Sequence, residues 1–186
     1  MAKHTSAASP LLRLPPELRN KIYQLVIVKH ESIHIDKTTF NNHQPSLLRT
    51  CCAIRNEAVK IFYAESQFSI TVEDWDASLL QRLDELLKTH GVQYSSDCAL
   101  NTHGDPSWRN LLQWLEHYYA DGGSSLRQPV MGEDMQYPTE VAKMEVKIIG
   151  AAFSIVKKCR GMPWKDVLRL VETQHIILEY VDKRWA

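Results

Sequence analysis

The 186-residue sequence has only 7 glycines and 4 cysteines, and no apolar run near the roughly 20 residues that a bilayer crossing requires. Its most apolar stretches, Tyr23 to Val28 and Ile148 to Val156, are far too short, so no membrane span is expected. Neither Cys-x-x-Cys nor His-Glu-x-x-His occurs among the 8 histidines and 4 cysteines, which leaves a zinc site without its usual ligand spacing. His30, His34 and His43 are unevenly spaced around an expected strand and loop, and His175 reads as a packed or surface histidine. No metal and no cofactor are expected. No glycine-rich loop opens a helix, as a phosphate cradle needs; Gly122-Gly123 follows one instead. No helix sets a Lys/Arg-rich face against Trp or Phe, so membrane-surface binding is not expected either.

Met1 to Ser9 has no apolar segment of the signal-peptide kind. Adjacent Cys51 and Cys52 are poorly placed to bridge one another. Both features lead to the expectation of reduced thiols and an intracellular protein, cytoplasmic or nuclear. With 44% hydrophobic residues the chain has enough apolar content for one core, so a flexible tail over 1–9 and a single domain over 10–186 are expected.

The 22 basic and 22 acidic residues cancel overall but are segregated. Residues 1–60 carry +5, residues 61–140 carry −9 and residues 141–186 carry +4. Such blocks either attract one another across the fold or present an acidic surface to a basic partner. A neutral chain with scattered Lys and Arg lacks the basic excess for nucleic acid, so no nucleic-acid partner is expected.

Periodicity predicts a mainly helical α+β domain with a small sheet and a C-terminal antiparallel helix pair. The first helix starts at Leu14-Pro15-Pro16-Glu17 and ends near Val28, with Leu14, Leu18, Ile22, Leu25 and Val26 on its buried stripe. Ile33 and Ile35 alternate with polar residues as a short strand, and Phe68, Ile70 and Val72 form a second. Between these strands Ser46 caps a second helix, expected to end near Ala64 and to bury Leu47, Cys51, Ile54, Ala58, Ile61 and Phe62. A third helix, capped by Asp74 or Asp76, carries Leu79, Leu80, Leu83, Leu86 and Leu87 and stops at Gly91.

Val92 to Gly104 reads as either strand or loop. Asp105-Pro106 opens a fourth helix, and residues 122–137 form an irregular connection. Of the two last helices, one starts at Pro138-Thr139 with Val141, Met144, Ile148, Ala152, Ile155 and Cys159 inward. The other starts at Met162-Pro163 with Val167, Leu168, Val171, Leu178 and Val181 inward. The short link between them makes them antiparallel.

Leu11-Leu-Arg-Leu-Pro-Pro-Glu-Leu-Arg-Asn-Lys-Ile-Tyr-Gln-Leu-Val26, followed by Ser46-Leu-Leu-Arg-Thr-Cys-Cys-Ala-Ile-Arg-Asn-Glu-Ala-Val-Lys-Ile-Phe-Tyr63, resembles the filamentous-fungal F-box-like proteins. These open on "LPxELRxxIYxxV" and continue with "LLxxCRxIRxEAxxxFY". The ending from Pro163-Trp164 to Val181-Asp-Lys-Arg-Trp185 is similar to their C-terminal part. The resemblance implies a protein-interaction module that serves as a substrate receptor for a Skp1-containing ubiquitin ligase. It implies a Skp1-like adaptor as the protein partner, with Leu14, Pro15, Leu18, Ile22 and Leu25 facing it. Those same residues read as core by periodicity alone, and both readings stand.

The alternative is a small-molecule-binding protein or enzyme on the same fold, with an aromatic-lined pocket. Trp108 shares a helix face with Leu111, Leu112 and Leu115, while Trp114 and Tyr118 point away from its centre. These aromatics line a pocket, form an exposed patch or pack against the last helices. The segment with Tyr94, Ser95, Ser96, Asp97, Cys98, His103 and Asp105 holds a nucleophile, a base and a carboxylate, so Cys98, His103 and Asp105 are catalytic candidates. Glu133 and Asp134 form a candidate carboxylate pair. A third expectation is a homo-oligomer.

Overall fold

The computed structural model describes residues 9–29, 31–92, 99–121, 137 and 139–186. Helix α1 (Pro16–Ile27) is followed by β1 (Ile33–Ile35), α2 (Cys52–Glu65), β2 (Phe68–Glu73), α3 (Ser78–Thr89), β3 (Ala99–His103), α4 (Trp108–Ala120), α5 (Glu140–Lys158) and α6 (Trp164–Val181). Short 3-10 turns cover Pro10–Arg13, Phe40–Asn42, Ser46–Arg49 and Lys183–Trp185. The chain is mainly helical, with a small parallel sheet. No helix of the described residues is long and apolar enough to cross a membrane.

The strands pair in the order β1-β2-β3, with Ile33 opposite Phe68, Ile35 opposite Ile70, and Ile70 opposite Leu100. Parallel strands cannot be joined by a tight turn, so a crossover must intervene, and α2 and α3 provide them. Along central β2, Phe68, Ile70 and Val72 are buried while Ser69, Thr71 and Glu73 are half-buried, the period of two expected of a strand with one face on the core. The segment left open between strand and loop contains β3.

Helix starts follow local chemistry. Thr139 accepts the Ala142 N–H at 3.1 Å and caps α5, and Ser107 accepts from Asn110 to cap α4. Ser46 does not cap α2. A separate 3-10 turn spans Ser46–Arg49, and Cys51, in extended conformation, precedes the first turn of α2. Arg55 holds that turn by donating to the Leu48 carbonyl at 2.7 Å, and Cys51 is exposed rather than buried. Asp36, just after β1, accepts from the Thr38 and Thr39 N–H groups, both at 2.7 Å, and from the Thr38 hydroxyl at 2.6 Å. The Thr38 hydroxyl and the Thr39 amide hold its carboxyl down to about 2.

α1 packs on α2, α3 on β2, α4 on α5, and α5 on α6. The link from Cys159 to Pro163 is short, so α5 and α6 run antiparallel. Their buried residues are Ile149, Ala152, Phe153 and Val156 on α5, and Val167, Val171 and Leu178 on α6. Val141 and Met144, expected inward, are exposed.

The centre of the C-terminal half is aromatic. Trp75 lies 6.2 Å from Trp114 and 5.9 Å from Trp185, and Phe153 meets Trp114 edge-on at 5.4 Å. Trp185 is buried, and its indole N–H donates to the Glu145 carboxylate at 2.8 Å. Burial keeps that carboxyl above its usual range.

Trp75 reaches this centre through a tight turn in which Asp74 and Trp75 adopt positive φ of 50° and 63°. The Asp74 carboxylate accepts the Asp105 N–H at 2.7 Å across Gly104, whose φ is 91°. A Cβ on Gly104 would lie 2.1 Å from the Asp74 carboxylate oxygen. Gly104→Ala is therefore expected to destabilise the fold by about 2 kcal/mol through backbone strain and this clash, measured by urea denaturation with an unchanged m-value.

A depressed carboxyl stabilises the fold above its unfolded pKa and loses that effect as pH falls through its folded value. Asp36→Asn is expected to lower the thermal midpoint at neutral pH, with the gap to wild type narrowing below 3.8 and closing near 2. A gap that is constant with pH would show that the charge contributes nothing.

Candidate partner-docking helix

Two prolines set the start of α1. Pro15, at φ −54° and ψ 147°, is the N-cap, and Pro16 occupies the first helical position, where a missing N–H costs nothing. Glu17 lies in the first turn, where the helix dipole favours a carboxylate.

The rotation of α1 is set by α2. Arg19 makes a bidentate pair with Glu57, both nitrogen–oxygen distances being 2.8 Å, and donates to the Leu14 carbonyl at 2.7 Å. The Tyr23 hydroxyl donates to the same Glu57 carboxylate at 3.0 Å. The Arg19 guanidinium holds the Glu57 carboxyl below its ordinary range, while burial and the Glu57 carboxylate push the Tyr23 hydroxyl up. One helical turn beyond Tyr23, Ile27 is fully buried. Arg19, Tyr23 and Ile27 thus form the stripe that meets α2.

This corrects the expected burial. Leu14, Leu18, Ile22, Leu25 and Val26 lie on the other side. Leu18 is 48% exposed, Leu25 85% and Val26 61%; Pro15 is exposed, and Leu14 and Ile22 are half-buried. Counting aliphatic residues alone selected the wrong stripe, because the anchoring face combines a phenol, a guanidinium and one isoleucine. A signal was present in the sequence. Arg19 and Tyr23 are four residues apart on one face, and Glu57 is the acidic residue within the second motif.

The aromatic candidates belong to the core. Trp114 and Tyr118 are buried, with Phe153 edge-on at 5.4 and 5.2 Å, so they form neither an exposed patch nor an open pocket wall. Trp108 is half-buried and stacks on His175 with ring centroids 4.3 Å apart. His175 Nε2 lies 3.0 Å from the Trp185 carbonyl, within hydrogen-bond reach. Of the three readings left open for Trp114 and Tyr118, packing against the last helices is the one that holds, with Phe153 of α5 against both and Trp75 6.2 Å from Trp114.

Of the catalytic candidates, Cys98 lies outside the described residues, as do residues 93–97, Glu133 and Asp134. The backbone of His103 ends β3. The Asp105 side chain is exposed and 3.9 Å from Arg184. Among the described residues, no three metal-ligating side chains gather.

One cleft of about 330 Å³ lies between α3 and α4, lined by Gln81, Asp84, Glu85, Lys88, His117 and Asp121. Its walls are polar rather than aromatic, and Lys88 spans it with contacts of 2.8 Å to Asp84 and 2.9 Å to Asp121. No family model, curated protein or solved structure matches the chain.

If Glu57 orients α1, Arg19→Ala and Glu57→Ala should each lower the thermal midpoint, and the double variant should fall little further than either single one. Additive losses in that cycle would show that the two residues act separately.

Proposed function

We propose that the chain is a protein-interaction module, built on an α+β frame, that docks a Skp1-like adaptor through the outward face of α1. The reading rests on one observation. Leu18, Leu25 and Val26 stand in solvent on a helix whose opposite face is already satisfied by Arg19, Tyr23 and Ile27. Large apolar side chains clustered on a rigid helix face are an interaction surface by ordinary physical criteria, since their burial against a partner releases ordered water at no folding cost.

The resemblance of the opening motif to F-box-like proteins supplies the class of partner. Pro15 and Leu14, at the entrance to the helix, extend the same surface. In this role the chain captures a substrate for ubiquitin transfer, inside the cell, where exposed Cys51 and Cys52 remain thiols.

Calorimetry of the purified chain with a purified Skp1-type adaptor tests the proposal. Wild type is expected to bind with a Kd of about 1 μM or tighter. Leu25→Asp should abolish the heat of binding with the melting temperature unchanged, because that side chain is already in water. Absence of binding by folded wild-type protein would overturn the adaptor role.

A further inference from the structure

The connection from β1 to α2 is fastened at two places. Near its start Lys37 pairs with Glu73, at the end of β2, and with Asp76, just before α3, both at 3.3 Å. Farther along, the fastening is a chain of hydrogen bonds through half-buried His43. Its Nδ1 meets the Phe40 carbonyl, and its Nε2 lies 2.7 Å from the hydroxyl of buried Tyr63 on α2. The Gln44 amide donates to the same hydroxyl oxygen at 2.7 Å.

Valence dictates the direction of this chain. A carbonyl only accepts, so Nδ1 carries the imidazole proton. In the neutral ring Nε2 is then bare, and the Tyr63 O–H is the donor it meets. With its proton committed, the Tyr63 oxygen is left to accept from Gln44. Burial pushes the Tyr63 hydroxyl up to about 12, so that proton stays in place at neutral and acid pH.

One more proton on His43 breaks the chain, because Nε2–H and the Tyr63 O–H would point at each other. Turning Tyr63 and Gln44 over restores the hydrogen bonds but leaves an imidazolium half-buried without a carboxylate. The groups packed around it offer none. Arg82 of α3 holds its guanidinium 4.4 Å over the Phe40 ring, which is 5.5 Å from His43. His90, just past α3, stacks on Tyr63 at 6.3 Å, and Phe62 stacks on His43 at 6.4 Å. Lys60 of α2 sets its ammonium beside Gly91. Asp36, the carboxylate of the same connection, is taken by Thr38 and Thr39. Burial accordingly lowers the His43 imidazole, opposed by the Phe40 carbonyl alone.

We propose that His43 is a pH-operated latch, which when neutral holds residues 39–44 against α2 and α3 and when protonated releases them. The Lys37 end stays fastened, since an ammonium–carboxylate pair does not titrate near neutral pH. A group lowered in the closed form takes up its proton on opening. Closure is therefore complete above the ordinary histidine value of 6.5 and is lost as pH falls below it.

Hydrogen exchange of the full chain, read by mass spectrometry at about pH 7 and about pH 5 with intrinsic rates divided out, tests this. Protection of the amides in 39–44 is expected to fall roughly fivefold or more at the lower pH, with α2 and α3 unchanged. His43→Gln should show the same protection at both pH values, whatever its level, while His90→Gln keeps the wild-type response. The nitrogen-15 spectrum at neutral pH should show the Nδ1–H tautomer of His43. Wild-type protection that does not change with pH overturns the latch. A response that survives His43→Gln, or is lost in His90→Gln, overturns the choice of His43, and an Nε2–H tautomer at neutral pH overturns the direction of the chain.

Discussion

The bidentate pair between Arg19 and Glu57, closed by the Tyr23 phenol, fixes the rotation of α1 about its own axis. A helix advances 100° per residue, so choosing Arg19, Tyr23 and Ile27 as the face on α2 assigns every other position at once. Leu18 and Leu25 are sent outward by that choice, not by any preference of their own. A guanidinium and a carboxylate in fork geometry are more demanding than aliphatic contacts, which tolerate sliding and rotation. The pair therefore overrides the aliphatic stripe that hydrophobicity alone would have buried.

The same motif residues hold the neighbouring turn. Arg55 grips the Leu48 carbonyl, and Leu48 is fully buried beneath it. The polar residues of the two opening motifs thus have structural work on α2, while their leucines on α1 are left to solvent. In the resemblance to F-box-like proteins, those leucines are the ones that would face the adaptor. Here β1 and the 3-10 turns stand between the two motif helices, and β1 is tied into the sheet beside β2.

The far half is organised around indoles. Trp75 arrives from the turn after β2, Trp114 from α4 and Trp185 from the last turn of the chain, so one cluster ties the sheet, the middle helix and the C-terminal hairpin together. Asp182 receives the Arg184 N–H at 2.9 Å and folds the last residues back, which carries Trp185 to Glu145. Gly104, with no Cβ, lets the turn after β3 approach Asp74 more closely than a side chain would allow.

The positions of α1, β1, β2, α3 and the C-terminal hairpin were legible in the sequence, because they follow from local rules: proline at a helix start, alternation in a strand, Thr139 at a cap, Gly91 at φ 64° after α3. The inward Leu79, Leu83, Val167 and Val171 were legible too, since each lies on the apolar stripe expected to face the core. The parallel direction of the strands was not, for it depends on pairings between residues more than thirty positions apart. The burial of Trp114 and Tyr118 was one of three readings open in the sequence, and the arrival of Phe153 against them selected it. The outward turn of Leu18 and Leu25 likewise depended on Glu57, thirty-eight residues from Arg19. Local sequence determined where helices and strands begin and end, since backbone geometry and capping act over a few residues. The tertiary structure alone decided which face of α1 meets water and that Trp114 and Tyr118 are covered, because those choices are made by partners that only folding brings together.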